Sequence, residues 1–190
     1  QYAGGAAAIA RHLSDFCGSI SLLTMLGEKK KYESFILENL PENVESTFIY
    51  KDASPTITKK RFVDHISKNK SLGVYSINDS QMNGENQNQL TFYLNKLIPE
   101  HDLMIVSDYG HGFISTKTAK HLSKQSIYKS LNAQINAANI GYHNMNNYSN
   151  IDCAIINAGE LRHELRNRES SIETLMKHLA KSMNAKNLVV

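Results

Sequence analysis

The chain has 190 residues, 41% of them apolar and 21% charged, with a formal net charge of +3. That length suits one sizeable domain with a core of its own. The small, dispersed charge argues against a nucleic-acid partner, and no apolar run approaches the ~20 residues of a membrane span, so no membrane partner is expected either.

Lys29-Lys30-Lys31 and Lys59-Lys60-Arg61 are the only basic clusters, and both read as solvated turn or strand faces. No signal peptide is recognised. Cys17 and Cys153 lie far apart in apolar surroundings. They read as small core thiols of a reduced, cytoplasmic protein. The histidines have none of the close pairings that bind zinc.

In chain order, Ala6, Ile9, Ala10, Leu13, Phe16 and Cys17 recur at helical spacing after Gly4-Gly5. "SISLLTML" (Ser19 to Leu26) predicts a strand, "KYESFILENL" a helix stopped by Pro41, and "ESTFIYK" a second strand. "PTITKKRFVD" and "SLGVYSIND" are charged and β-rich, and the polar "SKNK" joins them. They predict a hairpin in an exposed sheet. A helix from Glu85 to Ile98 puts Leu90, Tyr93, Leu94 and Leu97 on one side.

From there strand and helix alternate regularly. "DLMIVS" is a strand and Thr116 to Lys124 a helix. "SIYKSLNA" is a strand followed by an Asn-rich connection, Asn132 to Asn150. "IDCAIIN" is a strand, and Ala158 to Arg166 a helix. The last helix, Ser170 to Asn184, has a Ser170…Glu173 capping box and a buried stripe of Ile172, Leu175, Met176, Leu179 and Met183. "NLVV" reads as a final strand. This order predicts an α/β fold with a mainly parallel sheet covered on both faces.

Ligands of such sheets bind at the C-terminal ends of the strands. The polar residues there are Asp108, Gly110 and His111; then Asn132, Gln134, Asn136 and Asn139; then Asn157 and Glu160. Acids and amides at three successive strand ends would line one crevice. In "MIVSDYGHGFIS" the glycines let backbone approach a ligand, and the following helix N-terminus attracts oxygen-rich groups. Alternatively, Gly110 and Gly112 only make a tight turn and Asp108 caps the helix.

Taken together, these motifs resemble the ribokinase-like PfkB family of carbohydrate kinases. "GGAAAIARHLSDFCGSISLLTMLG" is similar to that family's first signature at Gly4, Gly5, Ala6, Ala10 and Gly27. "SPTITKKRFVD" resembles the lid of the heptose-phosphate kinases, and "IVSDYGHG" their Ser-Asp-Tyr-Gly-Lys-Gly strand end, with His111 in place of Lys. "NAGE" matches the family's Asn-x-x-Glu. "NAQINAANIGYHN" resembles a loop of sugar-kinase domains that accompany nucleotidylyltransferases.

The resemblance implies a three-layer αβα domain with a small β lid at about residues 54–78. It implies ATP-dependent phosphoryl transfer to a sugar or sugar phosphate, with Mg²⁺. Gly4, Gly5, Asp108, Gly110 and His111 would contact the substrate. Asn132, Gln134 and Asn157 would lie on the nucleotide and phosphate side, and Asn157 and Glu160 would hold the metal. For the lid it implies one of two arrangements, a homodimer through the lid or a lid folded over its own domain.

The departures are Ala8 for the usual Asn, Cys17 for a usual Gly, and "GEK" for Gly-x-Asp. The catalytic Gly-Ala-Gly-Asp segment and most of the ATP site would lie beyond Val190, and the family's first strand before Gln1. The fragment is then inactive by itself. The other reading is a kinase-like domain kept for binding, dimerisation or support of a fused nucleotidylyltransferase.

Overall fold

Strand and helix alternate as the apolar periodicities dictate. The computed structural model describes residues 1–134 and 144–190 and forms two units, residues 1–90 and 91–190. Asn136 and Asn139 lie outside the described residues.

The first unit begins with α1 (Gly5–Leu13), β1 (Ile20–Gly27), α2 (Glu33–Glu38) and β2 (Val44–Lys51). β1 and β2 pair in parallel, Ile20 opposite Val44 through Gly27 opposite Lys51. Ala7 and Ala10 of α1 pack with Leu22 and Val44, flanked by Ile20, Ile36 and Leu40. Small residues on α1 let the helix sit close to the strands. The helix ends sooner than its apolar spacing predicts. Phe16 lies beyond its end and is 86% exposed. Cys17 and Cys153 are free and half-buried, so neither is a core thiol.

At the end of β1 the chain accepts only glycine. A Cβ on Gly27 would meet the Thr56 backbone nitrogen at 2.2 Å. The Gly27 N–H donates to Thr56 Oγ1 at 3.1 Å. This close approach starts the chain toward the hairpin, β3 (Thr58–Val63) and β4 (Lys70–Ser76). These strands pair antiparallel, Thr58 opposite Ser76, with an irregularity between Phe62 and Val63. Asp64 closes the turn by accepting from the Ile66 and Ser67 N–H groups. The hairpin is the one predicted, and it is exposed along most of both strands. Lys51, at the end of β2, is buried; its ammonium donates to the carbonyls of Asn78 and Ser80. It ties the chain returning from the hairpin to the strand end.

The boundary between units falls within α3 (Gly84–Leu97). The second unit continues with β5 (Leu103–Asp108), α4 (Thr116–Ser123), β6 (Tyr128–Ala133), β7 (Cys153–Ile155), α5 (Ala158–Glu164), α6 (Ile172–Met183) and β8 (Asn187–Val189). The strands stand in chain order, β5-β6-β7-β8, and every neighbouring pair is parallel. Val106, Leu131, Ala154 and Ile156 from one face bury against Leu122, Leu161, Leu175, Leu179 and Met183 from the helices.

The expected stripe of α6 faces this core, but its cap is one residue later than predicted. Ser171, not Ser170, accepts from the Thr174 N–H. Ser170 Oγ instead accepts from Asn167 Nδ2. On the other sheet face Leu103, Ile105, Tyr128, Ile155 and Val189 are each at least 40% exposed. Strand side chains alternate between faces, so these residues point away from the core that Val106, Leu131 and Ala154 enter. Among the described residues no helix is long and apolar enough to cross a membrane.

Candidate substrate site at the strand ends

β5 delivers Asp108 as its last residue, on the buried face with Val106. Only 5% of it is exposed. A buried carboxylate is costly unless hydrogen-bonded, and Asp108 is. Its Oδ1 accepts from the Gly110 N–H at 3.0 Å. Its Oδ2 accepts from the Tyr148 hydroxyl at 2.5 Å. Tyr148 is itself buried, at 2% exposure. Burial first, and then the Asp108 carboxylate, push the Tyr148 phenol far above its ordinary pKa. That direction favours the protonated phenol, the form that donates to Asp108.

Asp108 is not the cap of the next helix. That role falls to Ser115, whose Oγ accepts from the Thr118 N–H at 3.1 Å. The turn between them runs through Gly110 at φ 67° and Gly112 at φ 81°. An L side chain adopts that left-handed backbone only with strain, so glycine is needed at both positions. The turn buries His111, which is 7% exposed.

The neighbouring strand ends carry the other predicted residues. Asn132 lies beside Ser107 in the register, and its Nδ2 donates to the Ile155 carbonyl at 2.9 Å. Gln134 extends the β5–β6 ladder, its N–H donating to the Asp108 carbonyl at 2.8 Å. After β7, Asn157 caps α5. Its Oδ1 accepts from the Glu160 N–H at 2.9 Å, and Glu160 Oε2 accepts from the Asn157 N–H at 3.3 Å. The Asn-x-x-Glu sequence is thus a reciprocal capping box.

Parallel pairing brings Asp108, Gly110, His111, Asn132, Gln134, Asn157 and Glu160 to one edge of one sheet. Gly4 and Gly5 belong to the first unit, at the exposed start of α1, with Gly5 at φ 57°.

Glu160 and Asn157 are a carboxylate and an amide oxygen on an accessible helix start. Mg²⁺ usually keeps several waters and takes one or two carboxylates, so this pair suits a hydrated ion held at its edge. It does not make an all-protein cage. Among the described residues no three His, Cys, Asp or Glu side chains gather as a metal site.

Two residues escaped sequence reasoning. Tyr148 sat unremarked in the Asn-rich connection, 40 positions from the acid it contacts. Glu164 holds the same connection from α5. It accepts from the Met145 N–H at 3.1 Å and the Asn146 side-chain amide at 2.7 Å. The one available signal was an aromatic and an isolated acid in otherwise polar surroundings.

No family model and no curated protein matches this chain. Solved structures do. The phosphofructokinase-2 from Escherichia coli, in complex with fructose-6-phosphate, is 16% identical. It aligns with 97% of this chain and 60% of its own, at a TM-score of 0.70. Ribokinase from Giardia lamblia is 18% identical over 96% of this chain and 56% of its own, TM-score 0.64. Arabidopsis thaliana ribokinase, complexed with ribose and ATP, is 14% identical over 98% and 58%, TM-score 0.58. The chain thus spans about three-fifths of the length of these kinases. At such identities the likeness speaks for architecture, and the architecture is the ribokinase-like α/β fold, shared along nearly the whole chain with sugar kinases.

Proposed function

We propose that this chain is the sugar-binding part of a PfkB-type carbohydrate kinase, which transfers the ATP γ-phosphoryl group to a sugar or sugar-phosphate hydroxyl. The observation that carries the reading is the buried Asp108, anchored at a glycine turn on the C-terminal edge of a parallel sheet. An anchored carboxylate accepts hydrogen bonds from substrate hydroxyls without having to be ordered first, and preorganised geometry is what phosphoryl transfer demands. Gly110 supplies close backbone approach, and the buried His111 stands where the heptose-phosphate kinases carry Lys.

On the nucleotide side, Asn132, Gln134 and Asn157 would border the phosphates. Asn157 and Glu160 would hold hydrated Mg²⁺, which when bound neutralises phosphate charge. Gly4 and Gly5 keep the sugar-facing role that the resemblance gives them. Free thiols agree with a reducing, cytoplasmic setting.

The chain spans about three-fifths of the length of the similar kinases, and the proposal is that alone it binds sugar without turning it over. Calorimetric titration with fructose 6-phosphate and with ribose, beside an ADP-release assay, tests this. Binding weakened by Asp108→Asn, without ADP release, is expected. No binding of either sugar would remove the reading. Turnover abolished by Glu160→Ala would overturn the inactivity.

A second reading, a non-catalytic kinase-like domain supporting a fused nucleotidylyltransferase, is favoured by the capping box, which gives Asn157 and Glu160 a helix-starting role without any metal. Sugar binding that is indifferent to Mg²⁺ and ATP would favour it.

The hairpin is proposed as a lid that pairs with a second copy. Phe62, Leu72 and Val74 share one face and are about half exposed, and a lone two-stranded ribbon is marginal in water. Light scattering should give a dimer that Phe62→Lys converts to monomer. A monomer at high micromolar concentration removes this part.

A further inference from the structure

The Asp108 carboxylate is held by a residue from a distant part of the second unit, and that residue is itself held firmly. Tyr148 lies on a short strap, residues 144–150, that leads into β7. Glu164 of α5 grips the strap's start at Met145 and Asn146. Ser123 of α4 accepts from the Ser149 N–H at 2.9 Å. The Met183 carbonyl of α6 accepts from the Asn150 N–H at 2.8 Å. Three helices thus fix a strap whose one buried phenol points at one carboxylate oxygen.

We infer that Tyr148 is a positioning residue. Its hydroxyl fixes the rotation of the Asp108 carboxylate and so decides which lone pairs a substrate hydroxyl meets. This rests on the sugar-site reading of Asp108. The chemistry supports it in three ways. A phenol donating to a carboxylate makes a short, charge-assisted bond. The phenol remains protonated, as its raised pKa requires. The other carboxylate oxygen is held by the Gly110 N–H, so the two donors together define the carboxylate plane. Because Glu164 belongs to the helix that starts at Asn157 and Glu160, the strap also ties the Asp108 turn to the proposed phosphate side within this unit.

The test is a double-mutant cycle. Wild type, Tyr148→Phe, Asp108→Asn and the double variant are titrated with fructose 6-phosphate and ribose by calorimetry, with thermal midpoints measured alongside. Each single change should weaken binding by roughly tenfold, and the double change should be no weaker than Asp108→Asn, because Tyr148 acts through Asp108. A purely structural tyrosine lowers the midpoint and leaves the affinity of folded protein unchanged.

Tyr148→Phe binding within about twofold of wild type, beside a weakened Asp108→Asn, overturns the inference and leaves the sugar site standing. Additive losses overturn it as well. Failure of the wild type to bind either sugar removes the sugar reading and the inference with it. If Tyr148→Phe does not fold, the Tyr148 hydroxyl proton is followed by NMR in the wild type. Its resonance should move on saturation with fructose 6-phosphate, and an unmoved resonance at saturation overturns the inference.

Discussion

The ends of β5 and β7 carry the two motifs most suggestive of chemistry, and the fold treats them differently. Asp108 is buried, and its carboxylate is held by a glycine N–H and a buried phenol. Asn157 is exposed, and it and Glu160 satisfy each other across the first turn of α5. The first arrangement spends a buried charge where an apolar residue would pack more cheaply. The second does ordinary helix-starting work. A buried, cross-linked acid at a strand end is therefore the stronger sign of a site than a familiar four-residue pattern.

The comparison breaks most visibly at Asp108. Asp108→Ala leaves the Tyr148 hydroxyl buried without its acceptor and should cost about 3 kcal/mol of unfolding free energy, read by urea denaturation. A loss no larger than that at β7 would mean the two motifs are equivalent. Asn157→Ala, at the other end of the contrast, removes a cap and should cost about 1 kcal/mol by the same measurement.

A third acid, at the opposite edge of the same sheet, sharpens the point that position decides the role. Asp152 accepts from the Lys129 N–H at 2.8 Å and pairs with Lys186 at 2.6 Å. The bond with Lys186 first, and then the Lys129 N–H, hold its carboxyl below the usual range. A folded pKa below the unfolded one means that the stabilisation is complete above the ordinary carboxylate pKa and is lost as pH falls through the lower folded value. Asp152→Asn should therefore lower the thermal midpoint modestly at pH 7, and the difference from wild type should shrink below about pH 4. A gap that persists unchanged in acid would count against the ion pair. The smallest effect belongs to Glu160→Gln, which keeps an oxygen for the Asn157 N–H. Its stability should stay within about 0.5 kcal/mol of wild type, so any larger change in Mg²⁺-dependent nucleotide binding would report a functional role for that carboxylate.

Much of this was legible along the chain. The α6 stripe, the hairpin with its polar turn and the strand–helix alternation are local periodicities, and each became the element it predicted. The polar strand ends were legible because parallel strands place their C-terminal ends on one edge. Phe16 and the Ser170 cap were misread for the same reason. Periodicity continues through a helix end, whereas the end itself is set by which backbone groups find partners.

By itself, then, the sequence determined the period of each element, the order of the strands' polar ends and the need for glycine in the Asp108 turn. Those depend on residues within a few positions of one another. Only the tertiary structure decided which acid is held and by what. Tyr148 meets Asp108 across 40 positions, Gly27 meets Thr56 across 29, and Lys51 reaches carbonyls at Asn78 and Ser80. A contact between distant residues exists only once the sheet and its loops have fixed both partners in space, and no local pattern encodes that distance.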